Sequence, residues 1–256
     1  MPDEVITAFA GLVASFLSGL LGIGGGLVLT PLLLYLPPLV GGVAIPVKIV
    51  TGLTIVQAIS GSLLGAIRHR SYGNVSVPLV WLMGPPSAIA SLIGALVSQG
   101  TSDRVLLLIF AVMAFAGAVM LMLPVEPRDA NTIAVRRPLA IAIALVIGFF
   151  GGMVGIGGIA FIIAALVYIL RVPARLAIGT SLGIGLFAAV AALVGKAATA
   201  QIDAPLASIV FVSALVASPM GAAVSVRTQP RLLLGILSAI VIVAAVRIAI
   251  TALTGR

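Results

Sequence analysis

The sequence predicts an all-α polytopic membrane protein of two inverted repeats, each a broken, re-entrant helix hairpin followed by three spanning helices. Three observations carry that reading. Of the 256 residues, 62% are hydrophobic and only 8% charged, with a mean hydropathy of +1.35. A soluble domain carries roughly 25% charged residues, so this composition cannot make a water-facing surface. Second, a glycine cluster recurs inside long apolar runs: Gly22-Ile23-Gly24-Gly25 returns as Gly155-Ile156-Gly157-Gly158. Third, the punctuating residues of the two halves align at a fixed offset.

The apolar runs set the elements. The first, Val5 to Leu36, is interrupted at Gly24-Gly25-Gly26 and followed by Pro37-Pro38 and Gly41-Gly42. Three more follow: Ile49 to Ile67, ending at Arg68-His69-Arg70; about Val75 to Val97, with Pro78, Pro85 and Pro86 inside it; and Val105 to Leu123. The stretch Pro124 to Pro138 holds Glu126, Arg128, Asp129, Arg136 and Arg137 and reads as a polar cytoplasmic linker. Beyond it lie Leu139 to Leu170, interrupted at Gly155 to Gly158, then Ala177 to Gly195, Leu206 to Val226 and Leu232 to Leu253. This divides the chain into a membrane repeat over 1–123, a linker over 124–138 and a second membrane repeat over 139–256. Unbroken runs approach the ~20 residues a spanning helix needs. The two interrupted runs are too long for one straight span and short for two complete ones.

An offset of 127 carries Pro46 onto Pro173, Lys48 onto Arg175, Gly52 onto Gly179 and Thr54 onto Ser181. It also carries Pro78-Leu79 onto Pro205-Leu206, Ser91 onto Ser218, Gly94 onto Gly221 and Arg104 onto Arg231. The glycine clusters align at 133, which places a six-residue difference between the broken helix and its successor. Internal duplication follows. Basic residues orient it, because cytoplasmic loops are enriched in Lys and Arg. If each interrupted segment returns to its own side, Arg68, Arg70, Arg128, Arg136, Arg137, Arg171, Arg175, Arg227 and Arg231 share one face. Only Lys48, Arg104, Lys196 and Arg256 oppose them. A full crossing by the interrupted segments would divide the charges almost evenly. The hairpin arrangement leaves three crossings per half, so the halves invert, and both termini lie outside the cytoplasm.

Glycine inside a membrane run weakens the helix, so two copies need a common reason. Irregular backbone at that depth is tolerated only where protein or a wet cavity surrounds it. A second arm starting near Gly26 would present unpaired amides and the positive end of its dipole, the general logic of anion sites at helix starts. The helix that follows each break supplies hydroxyls: Thr51 and Thr54 in the first half, Thr180 and Ser181 in the second. The candidate binding shell is therefore Gly24, Gly25, Gly26, Thr51, Thr54, Gly157, Gly158, Thr180 and Ser181. Gln57 is a candidate polar contact. Lys48 and Arg175 are repeat-related candidates for attracting or gating an anion. Each has a plainer role: small-xxx-small packing for the glycines, back-bonding for the hydroxyls, and snorkelling for the cations.

Charge and composition exclude other chemistries. All six acidic residues, Asp3, Glu4, Asp103, Glu126, Asp129 and Asp203, fall at the N-terminus or between runs. No span therefore offers the usual carboxylate of a proton relay or cation site. The absence of cysteine removes disulfides and thiolate metal sites, and no cofactor or metal is expected. The net charge of +8 is scattered between apolar runs, which is membrane anchoring and not a nucleic-acid surface. Met1-Pro-Asp-Glu4 lacks the basic flank of a signal peptide, so no cleaved segment is expected. No catalytic constellation falls within the spans, so an enzyme is not expected.

Inverted repeats with interrupted helices describe many secondary transporters, which hold substrate near the midplane between the halves. Here the residues themselves carry a resemblance. The two G-I-G-G clusters, Gly151-Gly152-Met153-Val154 before the second one, and Arg175-Leu-Ala-Ile-Gly-Thr-Ser-Leu182 resemble the TauE/SafE family of anion permeases, across essentially the whole chain. The first half departs from the family pattern at its second motif, where Gly52-Leu53-Thr54 stands in place of glycine-threonine-serine. The resemblance implies movement of sulfite, thiosulfate, organosulfonates or related anions across a bacterial cytoplasmic membrane. The expected partners are a small inorganic or organic anion and the lipid bilayer, with a homodimer left open. A passive anion channel and a membrane assembly protein are the rival readings.

Overall fold

The computed structural model describes residues 3–21, 25–122, 136–225, 242–243 and 245–252, and every described element is helical. In order these are α1 (Asp3–Leu21), α2 (Gly26–Leu39), α3 (Val47–Ser71), α4 (Val77–Gly100) and α5 (Asp103–Met122). After the linker come α6 (Arg137–Val154), α7 (Ile159–Ala164) continuing as a π-helix over Ala165–Ile169, α8 (Ala174–Ala198), α9 (Ala204–Ser225) and α10 over 245–252. Among the described residues six helices are long and apolar enough to cross a membrane, namely α1, α3, α4, α6, α8 and α9. The polar linker lies almost wholly outside the described residues, with Glu126, Arg128 and Asp129 in it. Arg227 and Arg231 lie outside them too.

Proline and glycine punctuate both halves alike. Pro46 precedes α3 at φ −55°, ψ 138°, and Pro173 precedes α8 at φ −53°, ψ 137°. Each proline carbonyl accepts the amide four residues on, from Val50 at 3.0 Å and from Ala177 at 2.9 Å. Proline suits a helix start because its fixed φ is pre-organised there and it has no amide to waste. Asp203 starts α9 differently, its carboxylate accepting the Leu206 amide at 3.0 Å.

After each break the chain doubles back toward the helix before it. After α2, the Val43 amide donates to the Asp3 carboxylate at 3.2 Å, at the very start of α1. In the second segment, Leu166, Leu170 and Val172 pack in one core with Ala140 and Ala144 of α6. The arms are unequal. Nineteen residues make α1 about 28 Å long, close to a hydrocarbon thickness of ~30 Å, whereas the fourteen of α2 reach about 21 Å.

Small residues interlock the two sets of helices. Gly19 of α1 abuts the Ser218 carbonyl of α9, and Gly221 of α9 abuts the Phe16 carbonyl of α1. The same joint recurs between α6 and α4, with Gly152 on the Ser91 carbonyl and Gly94 on the Phe149 carbonyl. A side chain at any of these positions would collide with backbone, so these glycines serve close helix approach. The centre is the pair α3 and α8. They run antiparallel, with Thr51 beside Lys196 at one end and Gly65 beside Leu182 further along.

Candidate anion site

Both helix breaks converge on the α3–α8 pair. Gly25 has φ 68°, and a methyl group there would meet the Gln57 amide of α3 at 2.6 Å. Gly155, Gly157 and Gly158 have φ between 64° and 79°, the left-handed region in which a side chain is strained. Gly155 presses on the Thr51 carbonyl and the Thr54 hydroxyl, and Gly157 faces Ala58 of α3 and Ala189 of α8. The breaks also touch one another, since a methyl on Gly26 would sit 3.0 Å from the Ile156 Cα. Helix starts leave amides without intrahelical partners. Here α2 begins at Gly26 and α7 at Ile159, so both breaks end in a helix start.

The structure thus gathers Gly25, Gly26, Thr51, Thr54, Gln57, Gly157 and Gly158. Gln57 is buried and links α1 to the first break. With its amide nitrogen turned to the Gly25 carbonyl (3.2 Å), its oxygen accepts from Ser15 (3.1 Å). Gly24 lies outside the described residues, and so does the side chain of Arg175. Thr180 and Ser181 sit elsewhere. From Thr180 to Lys196 is sixteen residues of α8, or about 24 Å of helix. The Thr180 hydroxyl accepts the Ser76 amide at the start of α4 (2.9 Å), and Ser181 donates back to the Ile178 carbonyl (2.8 Å). Thr51 and Thr54 also donate back, to the carbonyls of Lys48 (2.8 Å) and Thr51 (3.0 Å). Lys48 is half-exposed and donates to the Gln99 carbonyl at the end of α4. Arg247 is exposed and lies over the Tyr35 ring, 4.8 Å from its centre.

One residue that run-counting placed at an outer interface belongs at the centre. Lys196 is 0% exposed. Its Nζ donates to Thr51 Oγ1 (2.8 Å), Ser98 Oγ (2.8 Å), the Met153 carbonyl (2.9 Å) and Gln201 Oε1 (2.9 Å). An ammonium has three protons to share among these four oxygens, and none of the four belongs to a carboxylate. Met153 lies in the last turn of α6, where carbonyls lack helical partners and the dipole is negative. The Lys196 amine is therefore held at the base of the second break by neutral groups alone. A lysine within two residues of a helix end normally snorkels. The sequence signal that it does not is the polar company at that end: Ser98, Gln99, Thr199 and Gln201 terminate neighbouring helices together.

The profile described as "Sulfite exporter TauE/SafE" matches residues 7–248. The chain belongs to the TauE/SafE family. Relatives within reach carry the same stamp. It is 26% identical to the "probable membrane transporter protein YunE" of Bacillus subtilis, over 93% of this chain and 94% of that one. It is 34% identical to a "probable membrane transporter protein" of Xylella fastidiosa, over 74% of this chain and 72% of the relative. No solved structure matches it. This TauE/SafE chain is a multi-pass membrane protein from a family of membrane transporters.

Proposed function

We propose that the protein is a secondary transporter, not an enzyme, and that it carries a small sulfur-containing anion such as sulfite, thiosulfate or an organosulfonate. The observation that carries the reading is the meeting of two broken helices, Gly26 against Ile156, beside hydroxyl-bearing α3. Unpaired amides at helix starts favour negative charge, and glycine lets a ligand approach the backbone. The anion would sit between the breaks, against Gly25, Gly26, Gly157 and Gly158, with Thr51, Thr54 and Gln57 alongside. Thr180 and Ser181 are left out of that seat because they lie toward the other end of α8. The family is described by sulfite export, which supports a sulfur oxyanion over a carboxylate.

Alternating access is the mechanism we infer. The supporting feature is the antiparallel course of α3 and α8, which occupy equivalent places in the two halves. Helices so related lie at a two-fold axis in the membrane plane, the arrangement of inverted-repeat carriers. Rocking one half against the other about the breaks would expose the anion first to one side and then to the other.

Purified protein in liposomes, given ³⁵S-sulfite, tests this directly. A carrier gives saturable flux that unlabelled sulfite on the far side accelerates. Saturable flux without that acceleration would replace the carrier by a channel, and an absence of sulfite flux and binding would overturn the anion reading.

A further inference from the structure

Lys196 is the one fully buried cation among the described residues. We propose that Lys196 is the counter-charge for the transported oxyanion and the latch that the oxyanion opens. On arrival at the second break, the anion takes the ammonium from its neutral oxygens. The proposal rests on the anion-carrier reading and adds to it a binding residue and a trigger.

Four features of the Lys196 cage support it. Burying an ammonium is costly unless it is paired, and here the pairing is made only by two hydroxyls, a carbonyl and an amide oxygen. Hydrogen bonds to a charged acceptor are roughly twice as strong as those to a neutral one, so an oxyanion outcompetes any of the four. Three protons serving four acceptors leave one bond shared, and it is surrendered most easily. Finally, the four oxygens come from elements that would have to part. Thr51 is on α3, Ser98 on α4, Met153 at the end of α6 and Gln201 in the turn after α8. Beyond Lys196, the Gln201 amide nitrogen also donates to Thr199 (2.7 Å), and the Ser98 hydroxyl donates to the Ala95 carbonyl (2.6 Å). Losing the ammonium leaves both residues these local partners. Withdrawing the ammonium therefore cuts the ties of α8 to Thr51 of α3 and Met153 of α6, while Ser98 and Gln201 stay joined across α4 and the turn after α8 (3.1 Å).

A purely structural lysine would also satisfy the Met153 carbonyl, so the test must separate the two roles. Sulfite is the probe, and because the chain has no cysteine there is no disulfide for it to attack. Its half-saturating concentration is read twice on full-length protein, as a rise in melting temperature in detergent and as flux into liposomes. Lys196→Met should raise that concentration about tenfold or more, the loss of a charge-assisted hydrogen bond. Gln201→Leu should act the other way. It removes a neutral competitor for the ammonium, so sulfite should bind about threefold more tightly although the unliganded protein melts earlier. A structural lysine predicts earlier melting with unchanged affinity in Gln201→Leu. That result, or wild-type half-saturation in Lys196→Met, overturns the proposal. Should Lys196→Met not yield folded protein, Gln201→Leu alone decides. A wild-type protein that neither binds nor moves sulfite removes the carrier reading itself, and this one with it.

Discussion

The two ends of the α3–α8 pair share one scaffold and hold different chemistry. At one end Gly52 of α3 packs on the Gln201 carbonyl; at the other Gly179 of α8 packs on the Asn74 carbonyl. The offset of 127 maps each contact onto the other. It also maps Lys196 onto His69, whose Cβ lies beside Gly179. Yet among the described residues only the first end buries a cation among four oxygens. At the second, the Thr180 hydroxyl is spent on a backbone amide, and His69 is half-exposed. The glycines and prolines that shape the backbone match at the two ends, and the polar groups do not. Geometry is common to both ends, and among the described residues a fully buried cation stands at one of them.

The largest expected effect tests the shared part. Gly52→Leu and Gly179→Leu each drive a side chain into a carbonyl of the turn that follows the other helix of the pair, a contact that cannot relax without moving backbone. Both should abolish recovery of folded protein, or lower stability by more than about 3 kcal/mol, the range of severe core defects. Size-exclusion profile and melting temperature in detergent check this. If only one of them is damaging, the scaffold is not equivalent at the two ends.

A moderate effect tests the divergence. Thr180→Val removes the acceptor of the Ser76 amide and leaves a half-buried donor without its partner, worth about 1–3 kcal/mol. Melting temperature should fall while the half-saturating sulfite concentration stays put. A weaker affinity for sulfite would return Thr180 to the binding shell and undo the assignment of all anion chemistry to the breaks and the Lys196 end.

What the sequence revealed divides along the same line. Helices and their interruptions were legible because Pro46 and Pro173, or Gly25 and Gly158, act through local backbone rules that need no partner. The hairpins followed from run length and from the distribution of arginines. Lys196 was not legible as a core residue, because a lysine beside a helix end has the same local signature whether it snorkels or is enclosed. The deciding groups, Ser98, Met153 and Thr51, are 43 to 145 positions away in the chain. Thr180 and Ser181 mark a subtler limit. Residues that match along two antiparallel helices meet only near the crossing, so Thr54 and Ser181, alike in register, end far apart.

Gln57→Leu probes the first break against the second, with a smaller expected effect. Gln57 ties Ser15 to Gly25, whereas the second break is held by Lys196 and by glycine packing on Thr51. Leucine keeps the volume but loses about two neutral hydrogen bonds, together worth roughly 1–3 kcal/mol. Sulfite flux should slow more than melting temperature falls, because the first break loosens while the helices around it stay packed.

The smallest effect belongs to His69→Lys, which makes the two ends alike in sequence. A half-exposed site tolerates such a change within about 1 kcal/mol. Affinity for sulfite should not rise, because a lysine there would find the Thr180 oxygen already committed to Ser76. It would also snorkel to water in place of entering a cage. Tighter sulfite binding in this variant would mean that a lysine at that position suffices by itself, and that the four oxygens around Lys196 are incidental. Unchanged binding would mean that the charge acts only where the surrounding oxygens hold it out of water, ready to be claimed by something more negative than themselves.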